Sequence, residues 1–399
     1  MQTPSTRVVS LRPDTHLDHL DCLRGVAIFL VFIYHACNAV YGPHFIQELD
    51  HHLIARVHTA PWELLFFLPC EGWTGVALFF VISGFCIHLS HVKSGEKGFR
   101  IFFVRRFFRI YPPYLIAFLF FVLLFPGTRI DFTSLQNVPC LITHFLLIHN
   151  WNENSIYAVN GSFWSIAVEV QLYLIYPLLL WLSGRLGWRN CLILLFLIEI
   201  SFILLPTIAF HLNAHSRWNW SLLSRSPFAY WFSWSIGAKI ADDWCKGRPV
   251  FMRNFPLWLG PLLFVGFSFF PGLEKFRFTV AALSTAALIA ALLSRPRFSD
   301  QFGRLPFGGH LRQAGLISYS AYLLHEPLLS IYHLMEKLVP EAYHQRPIVF
   351  ILCLLTWPII LLVSWGYYRL IELPSIAWGK RVIRWIKSDR PVSQSAGMA

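Results

Sequence analysis

Charge is what this 399-residue chain has least of. Asp, Glu, Lys and Arg together supply 14 % of it, and only 21 residues are acidic. Soluble domains carry about 25 % charged residues, so the composition excludes a soluble globular enzyme. Methionine is also scarce, at 4 residues, and the eight cysteines include no CxxC pair. Their placement within apolar segments reads as small buried hydrophobes, with no disulfide framework and no metal-ligand pattern. Period-two alternation is missing too, because the apolar runs are continuous, which argues for helices as the spanning elements. No cleavable signal peptide is read, since residues 1–20 are polar and no small-residue cleavage site follows them.

The chain is instead rich in apolar and aromatic residues. Hydrophobic residues make up 56 % and aromatics 17 %, led by 37 Phe and 16 Trp. The expected fold is an all-α integral membrane protein, a bundle of about ten transmembrane helices. The ten candidate spans are 23–40, 73–90, 111–126, 162–182, 190–210, 228–242, 256–271, 277–294, 315–336 and 347–371. The apolar run 138–149 is too short to cross and reads as a re-entrant or interfacial helix. Residues 1–19 and the basic tail 376–399 flank a membrane domain over 20–375, and KRVIRWIK (380–387) suits an interfacial helix on anionic lipid.

Loop charge sets the orientation. With the N-terminus in the cytoplasm, segments on that side hold 22 Lys and Arg against 8 outside. The positive-inside rule then predicts both termini in the cytoplasm and an even number of spans. The net charge of +12 is largely this signal, so it calls for no nucleic-acid partner.

Polar residues inside such spans are costly, and each is a candidate functional group. In DCLRGVAIFLVFIYHACNA (21–39), Asp21, Arg24 and His35 fall on one helix face. Arg24 and His35 are roughly 16 Å apart along the axis by helical rise. The topology puts Glu169 of the fourth span at a depth similar to His35, where a carboxylate could orient the imidazole. Packing alone would also account for either residue. SYSAYLLHEPLL (318–329) brings His325 and Glu326 to mid-membrane, as a proton relay or a packing network. Ser83 and Gly84 in FFVISGF favour close helix packing. Arg105, Arg106 and Arg109 cluster among aromatics at the cytoplasmic face. The i,i+3 pair Arg106 and Arg109 can grip one anion or snorkel to lipid headgroups. The exterior stretch HSRWNWSLLSRS (215–226) suits a sugar, as it would any membrane interface. Asn160-Gly161-Ser162 is sequon-like but overlaps the fourth span.

The run LDCLRGVAIFLVFIYHA resembles the opening signature of the membrane-bound acyltransferase-3 family, which includes bacterial polysaccharide O-acetyltransferases. FFVISGF, RRFFRIYPPY, SFWSIAVEVQLYLIYPLL, SYSAYLLHEPLL and the closing IELP follow in the family's order. The resemblance implies a catalytic base at His35 with Arg24 as its partner, and acyl-CoA phosphates held by Arg106 and Arg109 beside Arg105. Glu169 would hold the imidazole. Asp21, Ser83, Asn160, Trp164 and His325 complete the candidate polar network. It further implies acetyl-CoA as co-substrate without a metal, and a carbohydrate or glycolipid acceptor such as a surface polysaccharide or lipo-oligosaccharide. The setting would be the bacterial inner membrane, among membrane lipids and a glycan-biosynthesis partner protein. Only about 25 residues follow IELP, so an appended SGNH esterase domain is not expected. A proton-relay transporter, a non-catalytic scaffold, or an acyltransferase for small molecules are the other readings of the same residues.

Overall fold

The computed structural model describes residues 17–46, 65–95, 98–125, 128, 130, 134–212, 220–270, 272–303, 307–340 and 345–388. Among these residues there is no strand. The helices used below are α1 (Asp18–Tyr41), α2 (Thr74–Ser94), α3 (Arg100–Leu123), α4 (Val138–Phe145), α5 (Phe163–His211), α6 (Trp231–Cys245), α7 (Leu259–Phe269), α8 (Arg277–Ser294), α9 (Gly308–Leu316), α10 (Ser318–Leu329), α11 (Arg346–Leu355), α12 (Trp357–Tyr367) and α13 (Leu373–Ser388).

Six helical segments among the described residues, rather than ten, are long and apolar enough to cross a membrane. Part of the difference is a kink rather than a missing span: α5 is two helices that meet at Gly187, whose φ of 72° lies outside the helical region. The two limbs correspond to the fourth and fifth expected spans. The rest is shortness. α6, α7 and α10 have 15, 11 and 12 residues, below the ~20 that a 30 Å hydrocarbon core requires. The expected ninth span (315–336) is interrupted at Ile317 and again after Leu329. Its polar residues satisfy other helices instead of continuing one apolar cylinder. The final expected span divides at Thr356, before Pro358, and meets a π-helical turn at Tyr368–Glu372. α4 has eight residues, too few to cross.

The core follows from side-chain size. Trp234, Tyr114, Tyr176, Phe32, Phe85, Phe121 and Phe163 are its largest fully buried groups. Bulk at these positions is balanced by glycine where helices must touch. A Cβ on Gly84 of α2 would stand 2.0 Å from the Trp234 carbonyl oxygen of α6, and one on Gly237 would stand 2.0 Å from that of Val81. The two backbones therefore meet at reciprocal glycines, the close approach that small residues permit in membrane bundles. α1 lies at the centre, burying Leu23, Ala27, Ile28, Val31, Phe32 and Ala36 against its neighbours. Five of the eight cysteines are buried, and the Cys37 and Cys70 thiols approach to 3.2 Å.

Candidate active site

Two cavities lie along α1. The smaller, about 110 Å³, is lined by Arg24, Arg106, Arg109, Ser83, Glu169 and Tyr173, among others, and is called the arginine chamber here. The larger, about 820 Å³, is lined by His35, Ser162, Trp164, Arg225, Tyr230 and Glu326, among others, and is called the histidine chamber. Val76 and Tyr322 line both. The Tyr322 hydroxyl is fixed by Ser165 at 2.6 Å. Arg24 and His35 thus belong to opposite sides of a wall that is about one side chain thick.

The arginine chamber gathers three guanidinium groups. Arg24 donates to Asp21 at 2.7 Å and to the Cys86 sulfur at 3.2 Å. Arg109 stands 4.0 Å from the buried carboxylate of Glu372, which accepts a bond from Ser320 at 2.6 Å. Arg106 pairs with no carboxylate among the described residues, and its buried Nε finds no hydrogen-bond partner there. Arg105 does not join them: it turns away to donate to the Ser90 hydroxyl at 3.1 Å. Helical geometry explains the split, since i,i+3 puts Arg106 and Arg109 on one face and Arg105 about 100° from Arg106.

Glu169 lies in this chamber rather than beside His35. It accepts a 2.6 Å bond from Ser83 and a very short one from Tyr173. Ser83 also accepts from the Trp234 indole at 3.3 Å, so it is a polar hub as well as a packing residue. The place expected for Glu169 is taken by Glu326. Its Oε1 is 3.7 Å from His35 Nδ1, and its Oε2 accepts from the Ser162 hydroxyl at 2.8 Å. Matching depth along two antiparallel helices does not fix azimuth, and Glu169 is rotated toward α2 instead.

Ser162 ties the histidine chamber together. Its Oγ is 3.2 Å from His35 Nε2 and 3.3 Å from His325 Nε2. His325 Nδ1 must donate to the Tyr322 carbonyl at 2.9 Å, which leaves its Nε2 toward the serine. The rings of His35 and His325 are 5.1 Å apart. Exposure separates their roles. The His35 side chain is 15 % exposed to the chamber, whereas His325 is fully enclosed. A substrate can therefore reach His35 and not His325. Asn160 shapes the turn that presents Ser162, accepting from the Ser162 amide at 2.9 Å and donating to the Leu323 carbonyl at 3.1 Å. Trp164 faces the chamber beneath the Arg225 guanidinium, 5.0 Å from its ring centre.

Neither Ser162 nor Glu326 was marked as the partner of His35 in the sequence. The signals were the Gly161-Ser162 turn at the mouth of α5 and a carboxylate adjacent to His325. Gly161 has a specific part: a Cβ there would stand 2.5 Å from Glu326 Oε1. Gly161→Ala is expected to leave the fold intact, because the clash is with the mobile end of one side chain. It should displace the carboxylate and lower kcat about tenfold, within the range of general acid–base effects. Steady-state kinetics with an unchanged melting temperature checks this.

Comparison with known proteins gives this geometry a family. The model of the acyltransferase domain family matches residues 17–365. Nodulation protein 10 of Rhizobium leguminosarum bv. viciae is 26 % identical over 260 residues, covering 61 % of this chain and 65 % of that protein. Acyltransferase MdmB of Streptomyces mycarofaciens is 27 % identical over 162 residues, or 40 % of this chain and 38 % of the relative. An uncharacterized Haemophilus influenzae protein is 31 % identical over 146 residues, 33 % of this chain and 58 % of its own length. The chain thus spans just under two thirds of nodulation protein 10 and less of the other two. No solved structure matches. The family match covers almost all of both chambers, and the chain belongs to the acyltransferase-3 family of membrane acyltransferases.

Proposed function

We propose that this acyltransferase moves an acyl group, acetyl in the simplest case, from cytoplasmic acyl-CoA to a hydroxyl of a carbohydrate or glycolipid. The observation that carries the reading is the pair of chambers meeting at Val76 and Tyr322, with guanidinium groups on one side and a His–Ser–Glu cluster on the other. Arg106 and Arg109 would hold the phosphates of the donor, since paired planar guanidinium groups suit phosphate oxygens. The positive-inside bias supports a reading in which that chamber faces the cytoplasm and the histidine chamber faces outward. The acyl thioester would reach the wall while the acceptor enters from the other side.

His35 takes the proton of the attacking hydroxyl at Nε2, the acceptor displacing Ser162, whose own proton is hydrogen-bonded to Glu326. Its Nδ1 then faces Glu326, so the imidazolium formed in the reaction is stabilised by a carboxylate 3.7 Å away. The thioester carbonyl accepts the hydroxyl oxygen, its C–S bond breaks, and the sulfur of CoA leaves with the proton returned from His35. His35 itself carrying the acyl group would give the same products. A small-molecule acceptor is the second reading, favoured by the breadth of the 820 Å³ chamber. The setting is a bacterial inner membrane.

Purified protein in nanodiscs, supplied with labelled acetyl-CoA and a surface-glycan extract, tests the proposal. Label is expected in an alkali-labile ester on the glycan, and its absence with folded protein sinks the reading. The double variant Arg106→Ala with Arg109→Ala should raise the KM for acetyl-CoA by ~10-fold or more, each charged hydrogen bond contributing on the order of 1.5–3 kcal/mol. An unchanged KM would return these arginines to headgroup contacts.

A further inference from the structure

The histidine chamber contains a cation that the proposed chemistry does not use. Arg225 closes a 3-10 turn (Trp220–Arg225) within the exterior stretch that the sequence marks for its Trp, Arg and Ser. Among the described residues it forms an ion pair with no carboxylate. Arg277, Lys275 and Glu326, which also line the chamber, each have a polar partner. Arg277 is buried and paired with Glu71 at 2.5 Å. Lys275 is exposed and donates to Thr207 at 2.6 Å. Glu326 is engaged by Ser162 and His35.

Arg225 is also built in. Its guanidinium lies over Trp164, its carbonyl accepts from Asn150 at 3.0 Å, and Tyr34, Tyr157 and Tyr230 line the same chamber. Trp164 follows Ser162 by two residues, and both line one cavity with Arg225, His35 and Glu326. A rigid, half-buried guanidinium on an aromatic platform presents a planar fork suited to a carboxylate. A single guanidinium with no carboxylate partner among the described residues matches a singly charged group better than a doubly charged phosphomonoester. The aromatic faces around it suit the apolar face of a sugar ring.

We infer that Arg225 and Trp164 form an acceptor subsite for an acidic sugar, a carboxylate-bearing saccharide whose reacting hydroxyl lies toward His35. The inference rests on the proposed placement of the acceptor in the histidine chamber, and it names the class of acceptor.

Octyl glucuronide and its uncharged methyl ester form a matched probe pair. Binding to the full-length protein in nanodiscs is measured by titration calorimetry, without acyl donor. The glucuronide is expected to bind at least 10-fold more tightly than the ester. That gap should vanish in Arg225→Gln through loss of glucuronide affinity, with ester affinity unchanged, and survive in Arg225→Lys. Equal binding of the two probes by the native protein overturns the inference, as does a gap that persists in Arg225→Gln. Should Arg225→Gln fail to fold, weakening of the native gap by 0.5 M salt supplies the same decision, because a charge pair is screened and ring stacking is not. Labelled acetyl-CoA is then added. A binding gap without any acyl transfer would count against the reaction proposed above and leave the acidic-sugar subsite standing.

Discussion

His35→Ala is expected to lower acyl transfer by ~10²–10⁴-fold, the usual contribution of a positioned general base. The substitution should leave the protein folded, because the His35 ring borders a cavity and its hydrogen-bond partner among the described residues, Ser162, keeps Glu326 and His325. Radiolabel transfer measured beside the melting temperature separates the two effects. Retained transfer at more than a tenth of the native rate would remove His35 from the chemistry. His325→Ala makes a useful contrast. That ring is fully enclosed and holds two backbone carbonyls of its own helix, so its loss should cost stability as well as rate. Of the two histidines, only His35 is expected to show a pure rate effect.

The largest structural effect is expected at Gly84→Val. No side chain fits there, since even a Cβ would lie 2.0 Å from a backbone carbonyl that cannot step aside. α2 and α6 would have to separate, uncovering Trp234, which is fully buried and bonded to Ser83. A loss of more than about 4 kcal/mol is expected, the level reserved for disrupted cores. Size-exclusion profiles in detergent and thermal melting would show it, as aggregation or a collapse of the transition. Gly98→Ala serves as the control, because nothing lies within 4 Å of a Cβ at that position. A melting temperature for Gly84→Val within a few degrees of native would mean the two helices are not held at this distance.

Much of the fold was legible because burial in lipid leaves so few alternatives. The absence of charge, the continuous apolar runs and the aromatic content all point to helices, and Arg24 and His35 fall on one face of α1 by simple periodicity. Continuity was harder to read. The two limbs that meet at Gly187 match two of the expected spans, but a hydropathy run cannot show that Ile317 interrupts a span or that Ser320 bonds Glu372. The site was half legible for a related reason. Residues on one helix keep their relation whatever the bundle does, so Arg106 and Arg109 came out as a pair, whereas Arg24 and His35 share a face of α1 but open into different chambers. Pairings between helices depend on rotation about each axis, which sequence does not encode locally. Glu169 therefore turned to Ser83 and Tyr173, and Glu326 took the position beside His35. Arg105 shows the same sensitivity over a single residue.

The wall shared by the two chambers has a consequence for traffic across the bilayer. Val76 and Tyr322 border both spaces, and Tyr322 is latched to Ser165. On the proposed reading, neither the nucleotide carrier nor the saccharide ever has to cross. Only the few atoms of the acyl group change compartment, handed over between two bound molecules. Spent carrier and finished ester then depart in opposite directions, each by the door it entered. A protein arranged in this way exports a chemical group without opening a conduit, so the ion gradient across the membrane is not spent on the transfer.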